Sequence, residues 1–93
     1  MTYERIIVLD HAGQRMHERA ISYKDILQVL SSGEIIEQYP DDTPYPSRLV
    51  LGFCAARAIH VVAADNHNHQ ITVIITVYEP DPTLWHSDFR RKK

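Results

Sequence analysis

The sequence predicts an α+β fold in which two helices near the amino terminus pack on a curved antiparallel sheet of about four strands. Two segments with apolar residues at helical spacing come first. Strand-like segments then follow one another with no helix between them. Because the helices are grouped and are not interleaved with parallel strands, the pattern is typical of α+β proteins and requires no crossover connection.

The amino-terminal part of the chain predicts a short strand and then a helix with one basic edge. Residues 3–9 are rich in β-branched side chains, and Asp10 is the expected N-cap of a helix that starts at His11. One stripe of this helix is apolar and consists of Ala12, Met16 and Ala20. The stripe beside it is basic and consists of His11, Arg15 and Arg19. The basic side chains are therefore expected at the border of the buried face.

The second helix has the clearest boundaries in the sequence. Ser22, followed three residues later by Asp25, predicts a capping box at its start. Its apolar residues recur at helical spacing and are Tyr23, Ile26, Leu27 and Leu30. Gly33 comes just after the last turn, and we expect it to end the helix in the left-handed conformation.

The second half of the chain predicts strands joined by short turns. These strands are residues 34–39, 48–54, 58–64 and 71–78. Residues 40–46 contain three prolines and are expected to form a loop. One face of the last strand is wholly apolar and should be covered by the helices; it consists of Ile71, Val73, Ile75 and Val77.

Length and composition predict one packed domain over residues 1–93. With 44% hydrophobic and 24% charged residues, the chain has the composition of an ordinary folded domain. Residues 83–93 are expected to form a partly flexible basic tail that carries Trp85 and Phe89. A domain of this size buries a limited core, so a dimer is compatible with the sequence.

Simple counts exclude several classes of protein. The single cysteine, Cys54, cannot form an internal disulfide, and the apolar runs are far shorter than the roughly 20 residues that span a bilayer. We therefore expect a cytoplasmic protein without a membrane partner. The net charge of −2 provides no overall positive field, so any contact with nucleic acid depends on local basic clusters.

No phosphate loop, nucleophile elbow or paired cysteine motif is present, so candidate site residues are polar side chains in unexpected places. The stripe of His11, Arg15 and Arg19 is suited to bind an oxyanion such as a phosphodiester; the alternative is a solvated helix surface. His60 lies in the middle of an apolar strand. It is either a hydrogen-bonded structural residue or a group that exchanges protons near neutral pH.

Three further features have two interpretations each. Tyr78 ends the last strand, where its hydroxyl could donate a proton or simply hydrogen-bond the backbone. Arg57 precedes His60 and could add a third cation or solvate a turn. His67 and His69 form an imidazole pair at a hairpin tip, but no third and fourth ligands are evident, so no metal or other cofactor is expected.

The whole chain resembles a small prokaryotic family of unknown function, number 4258 among the domains of unknown function. The segments that carry the resemblance are His11-Ala12, Arg15-Met16, Glu18-Arg19, Ile21-Ser22, Gly33 to Glu37, Tyr39 to Asp42, Pro44 to Pro46, Ile59 to Val62, Ile75 to Asp81 and Trp85. That family is similar in fold to the RelE and BrnT toxins of type II toxin-antitoxin pairs. The resemblance implies a helical pair packed on a curved antiparallel sheet.

The resemblance also implies a function, since RelE-like toxins cut messenger RNA without a metal. In such toxins the ribose 2′-hydroxyl attacks the adjacent phosphate while basic side chains neutralise charge. Carried onto this chain, Arg15 and Arg19 would hold phosphate. His60 or His11 would act as the base, and Tyr78 or the other histidine as the acid. The implied partners are RNA and an antitoxin protein.

Two functions of different classes follow from these observations. The leading hypothesis is a metal-independent endoribonuclease toxin, which the basic edge of the first helix favours. The alternative is a non-enzymatic protein-interaction module with the same fold, which the net charge of −2 favours. A metal-binding regulatory domain that uses His67 and His69 is the weakest interpretation.

Overall fold

The structure is a computed structural model, and it describes residues 5–93. The helices and strands in chain order are β1 (Arg5–Val8), α1 (Asp10–Arg19), α2 (Tyr23–Ser32), β2 (Glu34–Tyr39), β3 (Ser47–Cys54), β4 (Arg57–Asn66) and β5 (Ile71–Tyr78). This α+β arrangement confirms the predicted fold class. Tyr3 and Glu4, part of the predicted first strand, lie outside the described residues.

The sheet has five strands in the order β1-β5-β4-β3-β2 and is mixed. Strands β2 to β5 form the expected antiparallel meander. Strand β1 pairs with β5 in parallel, with Ile7 opposite Val73. The sheet was expected to be entirely antiparallel with about four strands, and this expectation is wrong. After the two helices and the meander, β5 lies beside β1 and runs in the same direction.

Helix α1 begins and ends differently from the prediction. Asp10 is its first residue and not its N-cap; the N-cap is Leu9, whose backbone is extended and which makes no side-chain capping bond. Asp10 instead places a carboxylate in the first turn, where the helix dipole favours negative charge. The helix ends at Arg19, and its C-cap, Ala20, adopts the left-handed conformation with φ 52° and ψ 44°.

Helix α2 confirms the predicted capping box. The Ser22 hydroxyl accepts from the Asp25 amide, and the Asp25 carboxylate accepts from the Ser22 amide, both at 3.0 Å. The left-handed stop predicted at Gly33 is wrong, because its φ is −79° and its backbone is extended. Gly33 is required for a different reason. A Cβ atom there would lie 2.3 Å from the Val29 carbonyl oxygen and 2.7 Å from that of Leu51.

Both helices cover the same side of the sheet, which we call the helix-side face. Its buried aliphatic core consists of Ala12, Ile21, Ile26, Val29, Val50, Ile59, Val61, Ala63, Ile74 and Val77. The register of β4 and β5 shifts between Val62 and Ala63, so a bulge interrupts the alternation of β5. Ile74 and Val77 are consequently both buried under the helices. The predicted apolar face of β5 is therefore correct at Val77 but wrong at Val73, which lies on the opposite side of the sheet.

The opposite side of the sheet, which we call the distal face, has a second buried group. Leu49, Leu51 and Ala64 are buried there but lie outside the helix-side core. His60 shares this face because it lies between Ile59 and Val61 on a strand. Residues after β5 cross the distal face and bury Trp85 to 7% exposure. Among residues 5–93, neither helix has the length and apolar character that crossing a membrane requires.

Candidate active site

His60 and Tyr78 meet on the distal face. They are direct partners in the register of β4 and β5, and His60 Nδ1 lies 3.2 Å from the Tyr78 hydroxyl. The other ring nitrogen, Nε2, lies 2.9 Å from the Phe89 carbonyl oxygen. Since a carbonyl only accepts, Nε2 carries the proton, and the unprotonated Nδ1 of the neutral ring accepts from the Tyr78 hydroxyl. The fold thus fixes both the tautomer of His60 and the direction of the Tyr78 hydroxyl.

The surroundings of the pair keep both groups neutral. His60 has no exposed surface, and this burial lowers its pKa, although the bond to the Phe89 carbonyl acts in the opposite direction. Burial, followed by the negative charge of Glu37, raises the pKa of Tyr78. At neutral pH the pair therefore consists of a phenol that donates to an unprotonated imidazole nitrogen.

Glu37 and Tyr39 extend this group of polar residues across the distal face. The Tyr39 hydroxyl donates to the Glu37 carboxylate at 3.2 Å. Burial, followed by the charge of Glu37, raises the pKa of Tyr39 to about 12. An imidazole, two phenols and a carboxylate thus lie on one face of the sheet, which is a set of groups able to move protons.

The segment after β5 covers one side of the pair. The Trp85 ring packs edge-on against the His60 ring, with centroids 4.6 Å apart and an interplanar angle of 86°. Beyond Phe89, the Arg90 guanidinium donates to the Glu34 carboxylate on β2 at 2.9 Å. Lys93 returns to Leu84 through a backbone bond of 2.9 Å. The basic carboxyl-terminal residues are therefore brought to the same face as His60 and Tyr78.

The basic stripe of α1 does not join this group. His11, Arg15 and Arg19 belong to a helix that packs on the helix-side face, so the sheet lies between them and the His60 ring. The expectation that they share one hollow with His60 and Tyr78 is corrected. The reason is strand alternation, because His60 points away from its helix-facing neighbours Ile59 and Val61.

Arg57 also lies on the helix-side face, and its guanidinium is occupied. It donates to the carbonyl oxygens of Arg19 and Ala20, at 3.1 and 3.0 Å, and so binds the end of α1. It also forms ion pairs with Asp25 at 3.2 Å and with Glu79 at 3.6 Å. Cations near the last carbonyls of a helix stabilise it. These contacts give Arg57 a structural role at the end of α1, and its role as a third phosphate ligand stays a prediction.

Sequence reasoning missed Glu37 and Tyr39, although it favoured Trp85 and Phe89 as residues that hold the tail against the core. Glu37 and Tyr39 are two residues apart on a strand, a spacing that places them on one face and could have drawn attention to them. Which face they occupy depends on a bulge between Ile35 and Glu37, which only the pairing with β3 reveals. The Phe89 contact uses a backbone carbonyl and has no sequence signal.

The imidazole pair at the hairpin tip, His67 and His69, is exposed in the structure. Across residues 5–93, no group of three or more histidine, cysteine, aspartate or glutamate side chains is arranged to hold a metal ion.

Comparison with known proteins gives a family but no activity. Residues 8–79 match the model of a family described as Domain of unknown function (DUF4258). No curated protein and no solved structure matches the chain significantly. The matched range contains both helices, only the last residue of β1, Val8, and the whole β2 to β5 meander, and therefore includes His60 and Tyr78.

Proposed function

The chain belongs to the DUF4258 family, and from that premise we propose that it is a RelE-like, metal-independent endoribonuclease that acts on RNA phosphodiesters as the toxin of a toxin-antitoxin pair. The observation that carries the proposal is the bond of 3.2 Å between the Tyr78 hydroxyl and His60 Nδ1. It provides a proton acceptor that is neutral and oriented at neutral pH. Cleavage of RNA through its own 2′-hydroxyl requires such an acceptor and no metal.

In the proposed reaction, Tyr78 is the group that touches RNA and His60 is a positioning residue behind it. The 2′-hydroxyl proton passes to the Tyr78 oxygen while the Tyr78 proton passes to His60 Nδ1. The 2′ oxygen then attacks phosphorus to form the cyclic phosphate, the bond from phosphorus to the 5′ oxygen breaks, and the 5′ oxygen takes a proton from water. The hydroxide that forms accepts the Tyr78 proton while His60 returns its proton to the Tyr78 oxygen. The Phe89 carbonyl accepts from Nε2 and so stabilises the imidazolium that forms. Complete burial of His60 is compatible with this relay, because only the half-buried Tyr78 needs to reach the substrate.

Phosphate contacts are assigned to the carboxyl-terminal cations in this proposal. Arg91 forms an ion pair with Asp88 at 3.6 Å and has 74% of its side chain exposed, and Lys92 and Lys93 follow it on the same segment. That segment crosses the distal face beside His60, whereas Arg15 and Arg19 lie across the sheet. Cations close to the phosphate would stabilise the charge that develops in the transition state.

The test is cleavage of single-stranded RNA by the purified chain in the presence of a chelator. Tyr78→Phe retains the ring and removes the hydroxyl, so we expect the cleavage rate to fall by about 100-fold or more. Tyr23→Phe is the matched control, because this ring is exposed on α2. Products with a 2′,3′-cyclic phosphate support the proposal. Equal cleavage rates for the two variants contradict the role of Tyr78, and no cleavage by the unaltered chain contradicts the ribonuclease proposal itself.

The second candidate function is a non-enzymatic interaction module with the same fold. Exposed apolar side chains on α2 favour it. Tyr23 and Leu27 lie one turn apart on this helix and are 47% and 40% exposed, so they could contact a protein partner. This candidate predicts that expression of the unaltered chain and of Tyr78→Phe has the same effect on growth of a bacterial host. Growth arrest that Tyr78→Phe relieves would contradict it.

A further inference from the structure

We propose that an apolar cavity at the far end of the distal face is a subsite for one unpaired guanine base of single-stranded RNA; this inference rests on the proposed ribonuclease function. The cavity has a volume of about 460 Å³, within the range of small-ligand pockets. Its apolar wall consists of Leu9, Pro44, Ala64, Val73 and Ile75. Three polar residues of the β2–β3 loop, Asp42, Thr43 and Tyr45, complete the lining.

The carboxylate of Asp42 is held in place by its neighbours. The Ser47 hydroxyl donates to Asp42 Oδ2, and Ser47 itself is only 4% exposed. The Asp42 amide donates to the Tyr39 carbonyl oxygen at 3.2 Å, which fixes the backbone. An ionised carboxylate has about four acceptor sites, so one bond from Ser47 leaves capacity for N–H donors of a ligand.

Tyr45 supplies an oriented aromatic ring at the same cavity. Its hydroxyl accepts from the Asn66 amide nitrogen at 2.8 Å, and Asn66 is buried. The ring is 37% exposed, which leaves surface for a ligand. Unstacked RNA bases commonly stack on aromatic side chains and are read through hydrogen bonds to their edges.

The combination of an apolar wall and a carboxylate favours one of the four bases. Guanine presents two adjacent donors, N1–H and the N2 amino group, which match the two oxygens of a carboxylate. Adenine and cytosine present one amino group beside a ring-nitrogen acceptor, and uracil presents one N–H between two carbonyls. A carboxylate opposite those acceptors is repulsive, so the chemistry of Asp42 favours guanine.

The cavity lies in line with the proposed active site. Ala64 is four residues from His60 on β4 and shares its face, a separation of about 13 Å along the strand. A single strand that crosses the distal face would therefore place one base in the cavity and a nearby phosphodiester at Tyr78. The cavity would then determine where in the RNA sequence the chain cuts.

The test measures binding, so that it is independent of cleavage. Short labelled pyrimidine RNAs that contain one guanine, one inosine or one adenine are titrated with the Tyr78→Phe variant and followed by fluorescence anisotropy. Inosine lacks the N2 amino group, and adenine has the wrong edge. We expect guanine RNA to bind roughly tenfold to a hundredfold more tightly than adenine RNA, with inosine RNA between them.

Two variants test whether Asp42 causes the preference for guanine RNA. Asp42→Asn should abolish discrimination between guanine and adenine, whereas Asp41→Asn, which makes the same charge change at an exposed neighbour outside the cavity, should retain it. Equal affinity for the three RNAs, or a guanine preference that survives Asp42→Asn, overturns the proposal. Absence of any RNA binding also overturns it and leaves the cavity to an apolar side chain of a protein partner.

Failure of the subsite and failure of the ribonuclease are distinguishable. If the unaltered chain cleaves RNA without a guanine preference, the subsite is wrong and the catalytic proposal stands. If guanine RNA binds selectively through Asp42 but is never cleaved, the subsite stands and the catalytic proposal is wrong.

Discussion

The helix-side and distal faces of one sheet are built from different chemistry. The helix-side face is mainly aliphatic, with Ile26, Val29 and Val61 fully buried; its buried polar side chain, Thr72, donates to the Asp65 carboxylate at 2.7 Å. The distal face buries His60 beside Tyr78 and Trp85, and every hydrogen-bonding atom of the histidine ring has a partner. Burial of a polar group is costly unless it is hydrogen-bonded, so an aliphatic core is the simpler way to stabilise a sheet. The aliphatic core that stabilises the sheet therefore lies mainly on the helix-side face, and the candidate catalytic groups lie on the distal face.

The largest effect is expected from the helix-side face. Ile26→Ala should lower the free energy of unfolding by about 2–5 kcal/mol, because it leaves a cavity at a fully buried position. Urea unfolding measures this change. Leu27→Ala is the matched control, since Leu27 is 40% exposed and its truncation should cost much less.

Trp85 is the only tryptophan of the chain and reports on the distal face. In the folded state of Ile26→Ala its fluorescence spectrum should match that of the unaltered chain, since the two faces pack separately. A spectrum that changes with Ile26→Ala, or equal costs for Ile26→Ala and Leu27→Ala, would contradict the division between the faces.

The distal face should make stability depend on pH. Burial lowers the pKa of His60 in the folded state below its ordinary value of 6.5. The unfolded state therefore binds more protons than the folded state at pH values between the two pKa values, and stability rises with pH there. The contribution of His60 is fully present above its unfolded pKa and is lost as the pH falls.

Measuring the free energy of unfolding between about pH 5 and pH 7.5 tests this dependence. His60→Gln should flatten the slope, while His69→Gln, which alters an exposed histidine of the β4–β5 hairpin, should leave it unchanged. A slope that is the same in both variants would assign the titration to another group.

The same division explains how much the sequence could predict. The bounds of β2 and β5 and the capping box of Ser22 and Asp25 were predicted because each depends on local patterns. The parallel pairing of β1 with β5 joins segments more than sixty residues apart, and local patterns contain no information about it.

For the candidate site, His60 and Tyr78 were found but their surroundings were not. Both were identified as polar residues on predicted strands. The face they share and the partners they meet depend on two bulges and on a tail held through a backbone carbonyl. Strand alternation without the bulge placed Val73 on the same face as Val77. The α1 stripe was expected beside His60 because it borders the buried face of its helix and because of the resemblance to RelE-like toxins.

The smallest effect concerns the end of α1, where Arg57 binds the last carbonyls on the helix side. Ala20 has φ 52°, a left-handed conformation that costs an L residue with a Cβ roughly 1–2 kcal/mol, whereas glycine adopts it freely. Ala20→Gly should therefore raise the free energy of unfolding by about 0.5–1 kcal/mol, after the greater entropy of glycine in the unfolded chain is counted.

Ala56→Gly is the matched control, because Ala56 is exposed and does not have a positive φ, so glycine there should destabilise the chain slightly. Opposite signs for the two substitutions in urea unfolding would show that backbone conformation limits stability at Ala20. A loss of stability in both would mean that the contacts of Ala20 outweigh its conformation.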